Sequence, residues 1–103
     1  AELGVDVEAL RPMPRADRLA ARFFSDSERQ QLAVRVAGDR DAALLAVWTA
    51  KEAYLKYIGM GFHESLKRIE ILQHTIFHDA RPVPSLTLHS HLPFPAYAFS
   101  MVC

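Results

Sequence analysis

One cysteine is all that this chain of 103 residues holds, and it is the last residue, Cys103. An intrachain disulfide is therefore excluded, and a reducing, cytoplasmic setting is the simplest expectation. Charge of either sign is not in excess: twelve basic and twelve acidic side chains cancel. That balance argues against a general nucleic-acid binder, whose grip depends on a basic surface neutralising phosphates. No apolar run approaches the roughly 20 residues of a membrane span, and no signal-peptide pattern opens the chain. Repeats and low-complexity tracts are absent as well. The chain starts at Ala1 rather than Met, which reads as processing or as the edge of a larger protein.

What is present is enough for a core. Half of the residues are hydrophobic, and a chain of this size buries roughly 65% of its unfolded surface. The expectation is a single α+β domain over residues 1–103. Its order is an N-terminal strand, two short helices, one long helix, and an antiparallel β ending packed on the long helix.

The long helix is the organising stretch. From about Asp41 to Ile58 the chain is rich in Ala, Leu, Glu and Lys, no proline interrupts it, and Gly59 stands where a C-terminal cap belongs. Its buried stripe is expected to include Leu44, Leu45, Val47, Trp48, Tyr54, Leu55 and Ile58. Glu52 and Lys56 are four apart and share a face, with Trp48 one turn earlier on it. Lys51 lies about 100° round the cylinder. Taken alone, Glu52 and Lys56 are also what an ordinary surface ion pair looks like.

Near the N-terminus, Leu3-Gly4-Val5-Asp6-Val7-Glu8 alternates apolar and acidic residues, the period-two pattern of a strand with one covered face. Val5 and Val7 are expected to face the core, leaving Asp6 and Glu8 together on the other side. Two carboxylates at that spacing repel each other unless water or a cation lies between them. They are either a solvated outer face or a pair of hard oxygen ligands of the kind Mg²⁺ takes.

Arg11-Pro12-Met13-Pro14 ends the strand. A short helix follows from about Ala16 to Phe24, with Arg11, Arg15, Arg18 and Arg22 at helical spacing and Asp17 as the only acid among them. This basic stripe is a solvated face or a contact for an acidic partner or a phosphate. Ser25 and Glu28 form a capping box at the start of a second helix reaching about Val36, and Gly38-Asp39 separates it from the long helix. Leu66 to Leu72 reads as a strand, Arg81 to Pro84 as a turn, Ser85 to His89 as a short strand and Ala96 to Val102 as the last one.

Two other patterns are disfavoured. His74, His78, His89 and His91 would need a helix to bring a His-x-x-x-His pair onto zinc, whereas residues 72 to 92 read as strand, turn and strand. Gly59-x-Gly61 follows a helix C-terminus, where the dipole is negative and no free amides point outward, so it is a cap or hinge rather than a phosphate cradle.

Gly4-Val5-Asp6-Val7-Glu8, then Arg22-Phe23-Phe24-Ser25-x-x-Glu28, then Trp48-x-x-Lys51-Glu52-Ala53-x-x-x-Lys56 and Gly59-x-Gly61-Phe62 together resemble the 4′-phosphopantetheinyl transferase superfamily. The Trp before Lys-Glu and the overall spacing are closer to its surfactin-synthetase (Sfp) type than to its short holo-acyl-carrier-protein-synthase type. The resemblance covers residues 3 to 62, and the remainder only as a generic β ending.

The resemblance implies transfer of the phosphopantetheine arm of coenzyme A to a serine of an acyl or peptidyl carrier protein, with release of adenosine 3′,5′-bisphosphate. Asp6, Glu8 and Glu52 fall on the positions that hold Mg²⁺, with Mn²⁺ as a substitute. Glu52 is also a candidate base for the serine, and Lys56 falls on the lysine that contacts the phosphates. Lys51 and, more loosely, Arg11 are candidate substrate contacts, while Arg15, Arg18 and Arg22 are candidate contacts for the carrier protein. No nucleic-acid or membrane partner is implied.

Two rivals stand beside this reading. A metal-dependent nuclease also uses Asp, Glu and Lys around Mg²⁺, but its Glu-x-Lys sits on a strand. A non-catalytic carrier-binding module would use the arginine stripe alone. Sfp-type enzymes contain two similar halves with coenzyme A between them, and this chain resembles the C-terminal, metal-bearing half. The expectation is therefore a site completed by a missing N-terminal half or by another copy of the chain, with apolar surface of the long helix near Trp48 and Leu55 favouring association.

Overall fold

The structure, a computed structural model, describes residues 3–59, 63–73, 75–83, 88–91 and 97–103. Alternation at the start of the chain becomes strand β1 (Gly4–Ala9). Helix α1 (Ala16–Phe23) carries Arg18 and Arg22, with Arg15 at its N-cap and Arg11 before it, and helix α2 (Asp26–Ala33) opens on the complete Ser25–Glu28 capping box. Helix α3 (Ala37–Ile58) then runs for 22 residues to Gly59, whose φ of 79° is the left-handed cap expected from the sequence.

The break between α2 and α3 falls at Val34 to Val36 rather than at Gly38-Asp39. Asp39 lies in the first turn of α3, where a carboxylate favours the helix N-terminus. After the cap comes a 3-10 helix (His63–Arg68), then β2 (Ile69–Leu72), β3 (Thr75–His78), the two-residue β4 (Arg81–Pro82), β5 (Leu88–His91) and β6 (Tyr97–Val102). Residues 66–68, expected in a strand, are thus helical. The strand expected from Ser85 is described only as Leu88–His91. Gly61, Phe62, His74, Pro84 to Thr87 and Leu92 to Ala96 lie outside the described residues.

Two antiparallel three-stranded sheets result, ordered β1-β6-β5 and β2-β3-β4. α3 packs along the first sheet and also against β2. It contributes Leu44 and Leu45 to one buried cluster, with Phe24, Leu32 and Ala98, and Ala50, Ala53, Tyr54 and Leu55 to another, with Leu66, Ile69, Ile71, Ile76 and Val102. Each fully buried leucine or isoleucine contributes about 1.5–3 kcal/mol relative to an exposed one. Thr49 pins the helix to the sheet from within, its Oγ1 lying 2.8 Å from Ser100 Oγ in a buried hydrogen bond.

The faces of β1 are the reverse of those expected. Gly4, Asp6 and Glu8 stand opposite Val102, Ser100 and Ala98 of β6, all fully buried, and so share the face that α3 covers. Val7 is 54% exposed, and Leu3 and Tyr97, 51% and 44% exposed, are apolar residues open to solvent beside it. The expected apolar helix surface is not there: Leu55 is 1% exposed, and Trp48 packs edge-on to Phe23 with ring centroids 5.6 Å apart. Among the described residues, the exposed large apolar side chains are Leu3, Val7 and Tyr97 at the sheet and Val34 and Val36 at the α2–α3 break.

Candidate active site

A strand lies against a helix backbone only where side chains leave room. At Gly4 a Cβ would collide with the carbonyl oxygen of Ala53 and the amide nitrogen of Tyr57. The missing side chain lets β1 settle directly on the second half of α3. This close approach is a feature that the spacing of charged residues does not reveal, although the glycine beside an acidic face is its trace in the sequence.

Two residues further along, Asp6 meets Lys56. The Nζ of Lys56 donates to Asp6 Oδ1 at 2.9 Å and to the Val5 carbonyl at 3.0 Å. Asp6 is nearly covered, its side chain 14% exposed, whereas Lys56 is 53% exposed. An ammonium has three donors, so Lys56 keeps one for a ligand arriving from solvent. The other oxygen of Asp6, Oδ2, is buried with no hydrogen-bond partner, an arrangement that costs free energy unless a further donor or cation reaches it.

Glu8 turns toward Arg11, 3.5 Å from its Nη1, which also donates to the Ala9 carbonyl at 2.8 Å. Glu52 sits half-buried on α3 one turn before Lys56, with its Oε1 shielded from solvent. Among the described residues, no group of three or more Asp, Glu, His or Cys side chains is close enough to hold one metal ion. Asp6, Glu8 and Glu52 are therefore not gathered into the three-ligand cluster expected of them. Each of the two strand carboxylates has gone to a protein cation instead, which separates like charges. The donor set still suits a hard divalent cation, because the orphaned Asp6 oxygen is a carboxylate lacking a partner.

Lys51 is not placed as a substrate contact would be. It is fully buried, 2.6 Å from Glu28 Oε1, and it donates to the carbonyls of Phe23 (3.0 Å) and Leu66 (2.8 Å). All three of its donors are engaged, so none is left for a phosphate. Burial draws its ammonium below the usual lysine range, against the pull of Glu28.

Arg15, Arg18 and Arg22 are exposed on or beside α1, with Arg22 over the Phe23 ring at 5.2 Å. Asp17 leans instead toward Arg40, 3.9 Å away on α3. A half-open cleft of about 390 Å³ between α1, α2 and the start of α3 is lined by Ala16, Ala20, Leu32 and Leu44 with Arg29 and Arg40 at hand, and by none of the residues of the β1–α3 crossing.

A separate polar group joins α3 to β3. Tyr54 shares a 2.7 Å hydrogen bond with His78 Nδ1, and burial, then the nearby Asp79 charge, holds its hydroxyl above the usual phenol range. Arg68 grips Asp79 with two bonds of 2.6 and 2.7 Å, which keep that carboxyl below the usual range. His78 is thus engaged in a side-chain network; the side chains of His74, His89 and His91 lie outside the described residues.

The family model of the 4′-phosphopantetheinyl transferase superfamily matches residues 2–101. Over 68 residues the chain is 40% identical to slr0495 of Synechocystis sp., a match that takes in 66% of this chain and 28% of that protein. With the 4′-phosphopantetheinyl transferase HetI of Nostoc sp. it shares 39% identity over 70 residues, 68% of this chain and 29% of the relative. The matched segment therefore spans little more than a quarter of these relatives. In fold, the chain is similar to a holo-(acyl-carrier-protein) synthase of Bacillus anthracis solved in complex with CoA (3′,5′-ADP), with a TM-score of 0.77, 21% identity, and coverage of 98% of this chain and 92% of that one. The holo-[acyl-carrier-protein] synthase of Thermotoga maritima gives a TM-score of 0.70 at 19% identity, over 98% of this chain and 61% of the other.

Proposed function

Because this chain belongs to the 4′-phosphopantetheinyl transferase superfamily, we propose that it transfers the 4′-phosphopantetheine arm of coenzyme A to a serine of an acyl or peptidyl carrier protein. One observation carries the reading. Asp6 of the first motif and Lys56 of the second, distant in sequence, meet at 2.9 Å across the β1–α3 crossing. Anionic and cationic groups thus stand side by side at an exposed edge, as a pyrophosphate substrate with a divalent counter-ion requires.

In the proposed step the serine oxygen attacks the phosphorus that bears the pantetheine arm. The bond from that phosphorus to the bridging oxygen breaks, and adenosine 3′,5′-bisphosphate leaves. The hydroxyl proton passes to Glu52, directly or through a water. Lys56 uses its outward donor to hold a phosphate oxygen, and Arg11 lies beside Glu8 where it can neutralise a second. Asp6, Glu8 and Glu52 would hold Mg²⁺, or Mn²⁺ in its place, once substrate draws them together; when bound, such an ion neutralises the pyrophosphate and the departing bisphosphate. The exposed Arg15, Arg18 and Arg22 supply the face for an acidic carrier protein. That stripe also supports the second reading, a non-catalytic carrier-binding module, which would bind its partner without metal dependence.

The chain is proposed to be the metal-bearing half of an Sfp-type enzyme, or to complete its site by self-association. Two facts support an incomplete site: the matched segment is about 28% of slr0495, and Leu3, Val7 and Tyr97 leave an apolar sheet face open. The decisive test is Glu52→Gln with an EDTA control. Transfer to a carrier protein should fall by two or more orders of magnitude, the scale of a lost catalytic carboxylate, while the melting temperature stays put. Transfer that runs equally fast in the Glu52→Gln variant, or in excess EDTA, removes the assignment.

A further inference from the structure

Glu28 and Lys51 are both fully buried, and between them they reach the neighbours of α3 that lie outside the β1-β6-β5 sheet. Glu28 Oε1 accepts from the Ser25 amide at 2.9 Å as well as from Lys51, and its Oε2 accepts from the Ile71 amide at 2.8 Å. Lys51 in turn holds the end of α1 through the Phe23 carbonyl and the 3-10 helix through the Leu66 carbonyl. The end of α1, the start of α2, α3, the 3-10 helix and β2 are thus tied at one point.

A buried ion pair is a poor source of stability, since desolvating two charges offsets most of their attraction and apolar residues of similar size often serve as well. What it adds is direction, through short bonds to fixed backbone atoms. We propose that the Glu28–Lys51 pair is a positioning device that fixes the rotation of α3, and thereby sets Glu52 and Lys56 against β1; this rests on the transferase reading above. Lys51 and Lys56 lie about 140° apart round the helix, so the pair holds α3 from behind while Gly4 admits β1 in front. A turn of about 10° about the helix axis moves a group roughly 6 Å out by about 1 Å. A displacement of that size can cost about 100-fold in rate.

Glu28 and Lys51 are positioning residues here, because neither reaches solvent. The test compares wild type with the double variant Glu28→Gln/Lys51→Met, which removes both charges and keeps an amide oxygen for the Ser25 or Ile71 amide. Three readouts are taken: thermal unfolding, the NMR signal of the Lys56 side-chain ammonium, and steady-state transfer. The expected result is a folded protein with a lowered melting temperature, since the Phe23 and Leu66 carbonyls lose their donor, a Lys56 ammonium that exchanges like a solvated lysine, and a kcat lowered at least tenfold with the KM for coenzyme A within about threefold. A double variant that is folded at the assay temperature and keeps both the Lys56 signal and the kcat overturns the proposal. Should the double variant not fold, Glu28→Asp decides: it keeps the charge but draws it back by one methylene, and full kcat with an unchanged Lys56 signal in that folded variant is equally fatal. If wild type shows no transfer either alone or with an added N-terminal half, the transferase reading fails, while the NMR and unfolding comparison still judges the positioning role.

Discussion

The Lys56 ammonium and the Asp6 carboxylate touch at 2.9 Å, with the lysine more than half exposed and the aspartate almost covered. The pair is therefore lopsided: the anion is fixed by its surroundings, and the cation is free to leave on one side. Lys56→Met should lower transfer by roughly 10- to 100-fold, the scale for removing one preorganised charge contact. It should also strengthen divalent-cation binding in the absence of coenzyme A, because the competing cation beside Asp6 is gone. Calorimetric titration with Mg²⁺ reads the second effect. Stability should change by at most about 1 kcal/mol, as expected of a pair with one partner largely in water.

Gly4→Ala should do more damage than its size suggests. The added methyl meets backbone atoms of Ala53 and Tyr57, which cannot rotate away. Overpacking of this kind costs about 1–3 kcal/mol, visible as a lower urea midpoint. Asp6 should move off Lys56 with the displaced strand, so transfer falls even at temperatures where the variant is folded. Unchanged activity in a folded Gly4→Ala protein would show that the close approach does not set the site.

Reversing Arg18 and Arg22 to Glu should raise the KM for carrier protein and flatten its salt dependence, leaving the KM for coenzyme A nearly unchanged. Arg18 and Arg22 are four apart on α1 and both exposed, so the change leaves the core untouched. KM values that shift together would mean that the stripe does not discriminate between the two substrates.

The sheet face predicts association. Val7→Lys places a charge among Leu3, Val7 and Tyr97, where it stays solvated in the isolated chain but not in an interface. Light scattering should show an assembly in wild type, with itself or with an added N-terminal half, that the variant loses. A wild-type chain that is monomeric, binds coenzyme A at micromolar concentration and turns over would refute the incomplete-site reading.

Local signals were legible from the sequence, and those set by tertiary partners were not. The Ser25–Glu28 box and the Gly59 cap each involve residues only a few positions apart, and both formed as read. Alternation in β1 identified a strand but not which face would be covered, since that depends on α3 arriving over Gly4. Leu66, Ile69 and Ile71 are all buried; the first pair is three apart and the second two apart, so by pattern a 3-10 turn passing into a strand reads as strand throughout. Lys51 sits next to Glu52 in sequence and so reads as part of the site, but its partner is Glu28, a residue whose capping role in the sequence hides its second bond.

The two buried clusters have a bearing on how the molecule opens. Both include residues from successive lengths of α3 and β6: Leu44 and Leu45 with Ala98 in one, Ala50, Ala53, Tyr54 and Leu55 with Val102 in the other. Lifting α3 from β6 opens both clusters at once. Amide protons along both elements should therefore exchange through one shared unfolding event rather than two independent ones. The region holding Asp6, Glu52 and Lys56 inherits the full cooperative stability of the chain, unlike a site borne on a loop.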